Sequence, residues 1–174
     1  PSNIRPITRS TEERENRNVL KESARIGRGK IKALSDTNSH ELDGLILPGG
    51  LGDFKNLSNF VTAKHDFAVD KEVDQLIENI YQSKKPIGAI CGAIVLIAKS
   101  LGKKGRQLEL CTSNNAYRKI LELNHAVVKE ISSMEAYADV KNKIVTTPAF
   151  LGTQNLYEIM IGIDKMVREF AAWL

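Results

Sequence analysis

The chain has only two cysteines, Cys91 and Cys111, too few to make a disulfide framework. Free thiols in a reducing compartment are the expectation, with the cytoplasm as the default location. Histidine is as scarce: His40, His65 and His125 share no ligand spacing, so no metal and no cofactor are expected. No apolar run approaches the roughly 20 residues of a membrane span, and the polar N-terminus is unlike a signal peptide. Aromatic residues make up 6% of the chain and none lies among its early basic residues. Those residues, Arg5 to Lys32, account for much of the net charge of +4 but are interleaved with Glu12, Glu13, Glu15 and Glu22. That pattern is a solvated, salt-bridged face, not a basic stripe, and neither nucleic acid nor a membrane is an expected partner.

What is present suits one globular domain: 174 residues, 42% hydrophobic and 26% charged. Ser10 and Glu13 form a capping box that predicts a helix to about Ala24, with Val19, Leu20 and Ala24 inward. Leu42 to Leu47 reads as a buried strand ended by Pro48-Gly49-Gly50, and Leu51 to Ala68 as a long polar loop. Helical spacing predicts Asp70 to Gln82, and Lys84-Lys85-Pro86 launches a strand over Ile87–Ile90. A helix follows Cys91 and ends near Gly102. Further on come a strand at Gln107–Thr112, a short helix at Ala116–Leu123, a strand at His125–Lys129 and a hairpin turning at Lys141-Asn142. Leu156, Ile159, Met160, Ile163, Met166, Val167, Phe170 and Leu174 mark one face of a C-terminal helix, the methionines as core filler. Alternating strands and helices indicate an α/β fold, a mostly parallel sheet covered by helices. Sites in such sheets lie beyond the carboxyl ends of the strands, here Gly49-Gly50 and Cys91.

Cys91 stands between the apolar run Ile87-Gly88-Ala89-Ile90 and the helix-patterned run from Ala93. First-turn N–H groups and the helix dipole would stabilise its thiolate, so its pKa is expected to fall. The residues alone leave two readings open, a nucleophile and an inert core thiol. For the nucleophile, N–H groups of Gly50 and Gly92 are candidate oxyanion donors. Gly49-Gly50-Leu51-Gly52 is no dinucleotide fingerprint, since it lacks the spacing and precedes a predicted loop. Cys111 ends a strand and reads as a core thiol that could face the same pocket.

Four segments carry a resemblance in order along the chain: Glu15 to Gly29, Leu47-Pro48-Gly49-Gly50-Leu51-Gly52, Lys55-Asn56-Leu57-Ser58-Asn59-Phe60, and Lys143 to Phe150. Together they resemble the ElbB-like family (enhancing lycopene biosynthesis, or sigma cross-reacting, proteins) of the ThiJ/PfpI superfamily. The resemblance implies a flavodoxin-like three-layer sandwich of the class I glutamine amidotransferase-like type, commonly a homodimer. It places Cys91 at the family's nucleophile elbow and implies glutathione-independent glyoxalase chemistry on small carbonyl compounds, glyoxal to glycolate. Gly49, Asn56, Asn59, Cys111 and Thr147 are then candidate pocket residues, and Glu22, Arg25 and Arg28 a candidate ion-pair set around the site. A redox-sensing cysteine is the alternative. An amidotransferase is disfavoured, since no histidine follows Cys91 at a family position. Members usually have Cys-Ile-Ala-Pro where this chain has Cys91-Gly92-Ala93-Ile94. The chain starts at Pro1, where the family would already have built a strand, a helix and a strand. Residues 1–174 are therefore expected to be one domain lacking that segment, which would carry the family's catalytic glutamate.

Overall fold

A computed structural model describes residues 3–4, 17–102 and 105–174. Two short pieces, β1 (Asn3–Ile4) and β2 (Arg17–Asn18), pair antiparallel ahead of α1 (Val19–Ile26). The Ser10 capping box lies outside the described residues. The helix it was to start begins only at Val19, where the Asn18 side chain accepts the Lys21 N–H at 3.1 Å. No residue of α1 is buried, which corrects the inward face expected of Val19, Leu20 and Ala24.

The main sheet has the order β3 (Leu45–Leu47), β4 (Ile87–Ile90), β8 (Ile144–Thr147), β7 (Tyr137–Asp139). Its first three strands are parallel; β7 runs antiparallel as the arm of the predicted hairpin. A parallel pair, β5 (Leu108–Cys111) and β6 (Ala126–Lys129), lies beside it. The Cys111 N–H donates to Thr146 Oγ1 at 3.3 Å and the Glu109 N–H to Asp139 Oδ2 at 2.8 Å. The strands of the two sheets are thereby stitched by side chains.

One face of the sheet is covered by α4 (Lys71–Gln82), α5 (Ala93–Ile97) and α6 (Asn115–Leu123). Asp70 caps α4 by accepting the Glu72 and Val73 N–H groups. Helix α5 runs on through a π-helical turn at Ala98–Gly102, and every residue from Ala93 to Gly102 is buried. A helix apolar on all sides belongs inside the molecule, and this one is its spine. The other face carries α7 (Leu156–Ala171), with Ile159, Met166 and Phe170 packed on Ile90 and Val145. The flavodoxin-like, amidotransferase-like sandwich is therefore the fold.

Two expectations are corrected. The polar stretch after Gly50 is not a loop but contains α2 (Leu51–Lys55), α3 (Phe60–Ala63) and a 3-10 turn at Lys64–Asp66. Phe54 and Phe67 bury themselves there and stack through Phe60, at ring-centroid distances of 4.7 and 5.0 Å, which supplies the core the polar residues hid. On α7 the apolar stripe is wider than the buried one. Leu156 (70% exposed), Met160 (61%), Val167 and Leu174 face outward, and only Met166 of the two methionines fills the core.

Candidate functional site

Strand β4 ends at Ile90, and the chain reverses into α5 through Cys91, whose φ is +56°. A side chain in that left-handed region is strained by about 1–3 kcal/mol, and neighbours must hold it there. They do: the Cys91 N–H donates to the Thr147 carbonyl at 3.0 Å, and the Cys91 carbonyl accepts the Ile94 N–H at 3.2 Å. The strain turns the thiol out of the sheet, as in a strand-to-helix nucleophile elbow.

The adjacent strand end makes room for it. Gly49 has φ +83°, and a Cβ there would overlap the Ile90 carbonyl oxygen and sit 3.1 Å from Cys91 Cβ. Gly50, at φ +108°, then caps α2. Between these turns lies a cavity of about 440 Å³, lined by Gly49, Gly50, Cys91 and Tyr117 and walled by Phe54, Phe150 and Leu151 among others. No charged side chain lines it.

Cys91 is half-buried, and burial pushes its thiol pKa up. The N–H groups of Gly92, Phe150 and Leu151 pull the other way, while the Asp53 charge adds to the rise. The expected fall in pKa is thus corrected: desolvation outweighs the donors at the start of this helix. Tyr117 is also raised, by burial and then by Cys91. Cys111 is buried and pushed up to about 12, and both cysteines are free.

The remaining candidates are placed as follows. Gly92 begins α5 with its N–H directed at the thiol, and Gly50 lines the cavity. Asn56, Asn59, Cys111 and Thr147 are not among the lining residues. Asn59 Oδ1 accepts the Ala68 N–H at 2.6 Å, Thr147 Oγ1 donates to the Glu135 carbonyl at 2.9 Å, and Asn56 ends α2. Arg25 pairs with Glu22 at 2.9 Å on the exposed α1, and Arg28 follows at φ +50°; none of the three borders the cavity. Among the described residues no His, Cys, Asp and Glu gather into a metal-binding group, and no helix is long and apolar enough to cross a membrane.

Sequence reasoning missed Asp53, Tyr117 and the N–H groups of Phe150 and Leu151. Asp53 is 4% exposed, burial lifts its pKa to about 7, and its Oδ2 has no hydrogen-bond partner among the described residues. It lay inside the stretch read as a polar loop, where nothing flagged an aspartate as buried.

Comparison with known proteins agrees with this architecture. A family model described as the DJ-1/PfpI family matches residues 30–153. Human glutamine amidotransferase-like class 1 domain-containing protein 3, mitochondrial, is 42% identical over 167 residues, 90% of this chain and 61% of that protein. The Rattus norvegicus "ES1 protein homolog, mitochondrial" is 41% identical over the same lengths. The chain thus spans about three fifths of the curated relatives it matches. A crystal structure of an isoprenoid biosynthesis protein with an amidotransferase-like domain, from Ehrlichia chaffeensis, superposes with a TM-score of 0.87. It is 26% identical, with 98% of this chain and 78% of that one covered. The mitochondrial relatives overturn the expected cytoplasmic location. Free thiols mark a reducing compartment without saying which one, so cysteine usage could not make that distinction.

Proposed function

The chain belongs to the DJ-1/PfpI family, and on that footing we propose that Cys91 is a nucleophile acting on small carbonyl compounds. The observation that carries this reading is the strained elbow, which holds Cys91 at the wall of a cavity without charged side chains. Strain of this kind persists only where surrounding structure enforces it, and it collects at functional sites.

In the proposed reaction Cys91 Sγ bonds to one aldehyde carbon of glyoxal, and the carbonyl oxygen takes a proton to give a hemithioacetal. The hydrogen on that carbon then moves to its neighbour as a proton, through an enediol, leaving a thioester. Water cleaves the thioester, releases glycolate and restores the thiol. One carbon is oxidised and the other reduced, so no outside oxidant is needed. The Gly50 and Gly92 N–H groups are the proposed donors to the developing oxyanion. The ElbB-like assignment within the family is part of the same proposal, supported by the four motifs and by likeness to the Ehrlichia chaffeensis isoprenoid biosynthesis protein.

The redox-sensing alternative has weaker support. Peroxide attacks a free thiolate, and burial with a neighbouring aspartate disfavours one here. Glyoxal consumption tests the reading: Cys91→Ala is expected to abolish glycolate formation, and retained turnover would sink the proposal.

A further inference from the structure

Asp53 is an unexplained buried acid. Its Oδ2 is unpartnered among the described residues, although an unsatisfied buried polar atom costs about 1–3 kcal/mol. Its place in the fold is closely fixed. The Asp53 N–H donates to the Gly50 carbonyl at 3.2 Å, and Ser58 Oγ donates to the Asp53 carbonyl at 2.7 Å. The next residue, Phe54, lies against the elbow: a Cβ on Gly92 would sit 2.9 Å from Phe54 Cζ and 3.4 Å from the Gly50 carbonyl oxygen. The carboxyl is therefore carried by a helix that packs directly on the Cys91 turn, and the thiol feels its charge.

We propose that Asp53 is the proton partner of Cys91, taking the thiol proton as sulfur attacks and returning it afterwards. The inference rests on the nucleophile reading above. Two buried negative charges side by side are strongly disfavoured, so a thiolate cannot form easily beside an ionised Asp53. Passing the proton from one to the other keeps the site at a single negative charge. In the addition step the S–H bond breaks and the S–C bond forms, while the carbonyl π pair moves onto oxygen. The proton goes to Asp53 and then to the new alkoxide, directly or through one water. Asp53 ends the step as a carboxylate.

Other ionisable groups on the packed elements do not account for the carboxyl's state. Tyr117 on α6 faces Cys91, and Lys64 and His65 border a separate apolar hollow beyond Phe54 and Phe60. Lys99, on the π-helical turn, reaches the His65 carbonyl at 3.5 Å and lies over the Phe67 ring. Burial is the cause that holds Asp53 near 7, a value suited to exchanging protons at neutral pH.

The test uses the whole chain, with iodoacetamide and glyoxal as probes. Cys91 alkylation, followed by peptide mass spectrometry against pH, should level off near pH 7 in the wild type and rise again as the thiol itself ionises. In Asp53→Asn it should rise without that break. Glyoxal turnover by Asp53→Asn should fall on the order of a hundredfold in kcat with little change in KM. Asp53→Ser should show the same loss, and added formate should restore part of it, which a packing role would not allow. A wild-type profile without the break, a break retained in Asp53→Asn, or undiminished turnover in both variants would each overturn the proposal. Turnover retained in Cys91→Ala would instead sink the nucleophile reading, and the alkylation profile would still decide the Asp53 pairing.

Discussion

Gly49 and Cys91 touch across two strand ends: a Cβ at position 49 would lie 3.1 Å from Cys91 Cβ and overlap the Ile90 carbonyl oxygen. Gly49→Ala therefore adds a clash to a backbone at φ +83° that alanine tolerates poorly. The expected cost is roughly 2–4 kcal/mol, because the neighbouring atom is main chain and cannot swing away. Denaturant unfolding measures the loss, and iodoacetamide labelling of the folded fraction should show Cys91 displaced from its geometry.

Asp53 makes stability depend on pH in an unusual direction. Its pKa is raised from 3.8 to about 7, so the folded state holds a proton that the unfolded state has lost. Stability from this group is complete below pH 3.8 and drains away as pH rises to about 7. The shift corresponds to at most about 4 kcal/mol at 1.36 kcal/mol per unit. Asp53→Asn should remove this dependence and melt higher than wild type at pH 8 or so, as read from paired thermal scans across the range.

The two cysteines should react very differently. Cys111 is buried, and its thiol is pushed up to about 12, whereas Cys91 is half-buried and lines the cavity. Under native conditions a small alkylating agent should modify Cys91 alone, and Cys111 should follow only in denaturant. Intact-mass and peptide analysis at successive times distinguishes the order.

The face of α7 can be checked by truncation. Met166→Ala opens a cavity against Gly88 and should cost roughly 2–4 kcal/mol, while Met160→Ala, at an exposed position, should stay within about 0.5 kcal/mol. Unfolding free energies of the two variants measure the difference directly.

The parts legible in the sequence were those written in period and punctuation. The runs Ile87–Ile90 and Ile144–Thr147, the cap at Asp70 and the Gly49-Gly50 turn each signal locally, and each lies where it was expected. The elbow at Cys91 was readable because an apolar strand and an apolar helix meet there. Burial at isolated positions was not readable. Asp53 and Phe54 sit in a stretch whose average polarity looks like a loop, and only tertiary packing shows that both point inward. The same limit affected α7, where apolar residues span more of the circumference than the sheet covers. The direction of the Cys91 pKa was missed for a related reason: helix-end donors are visible in sequence, but the depth at which they act is not.

The most direct test of Cys91 as a nucleophile toward carbonyl compounds is glycolate formation from glyoxal by wild type and Cys91→Ala at equal concentration. Steady glycolate release by the wild type and none by the variant is the predicted result. Equal release by both, or none by a folded wild type, would contradict the account.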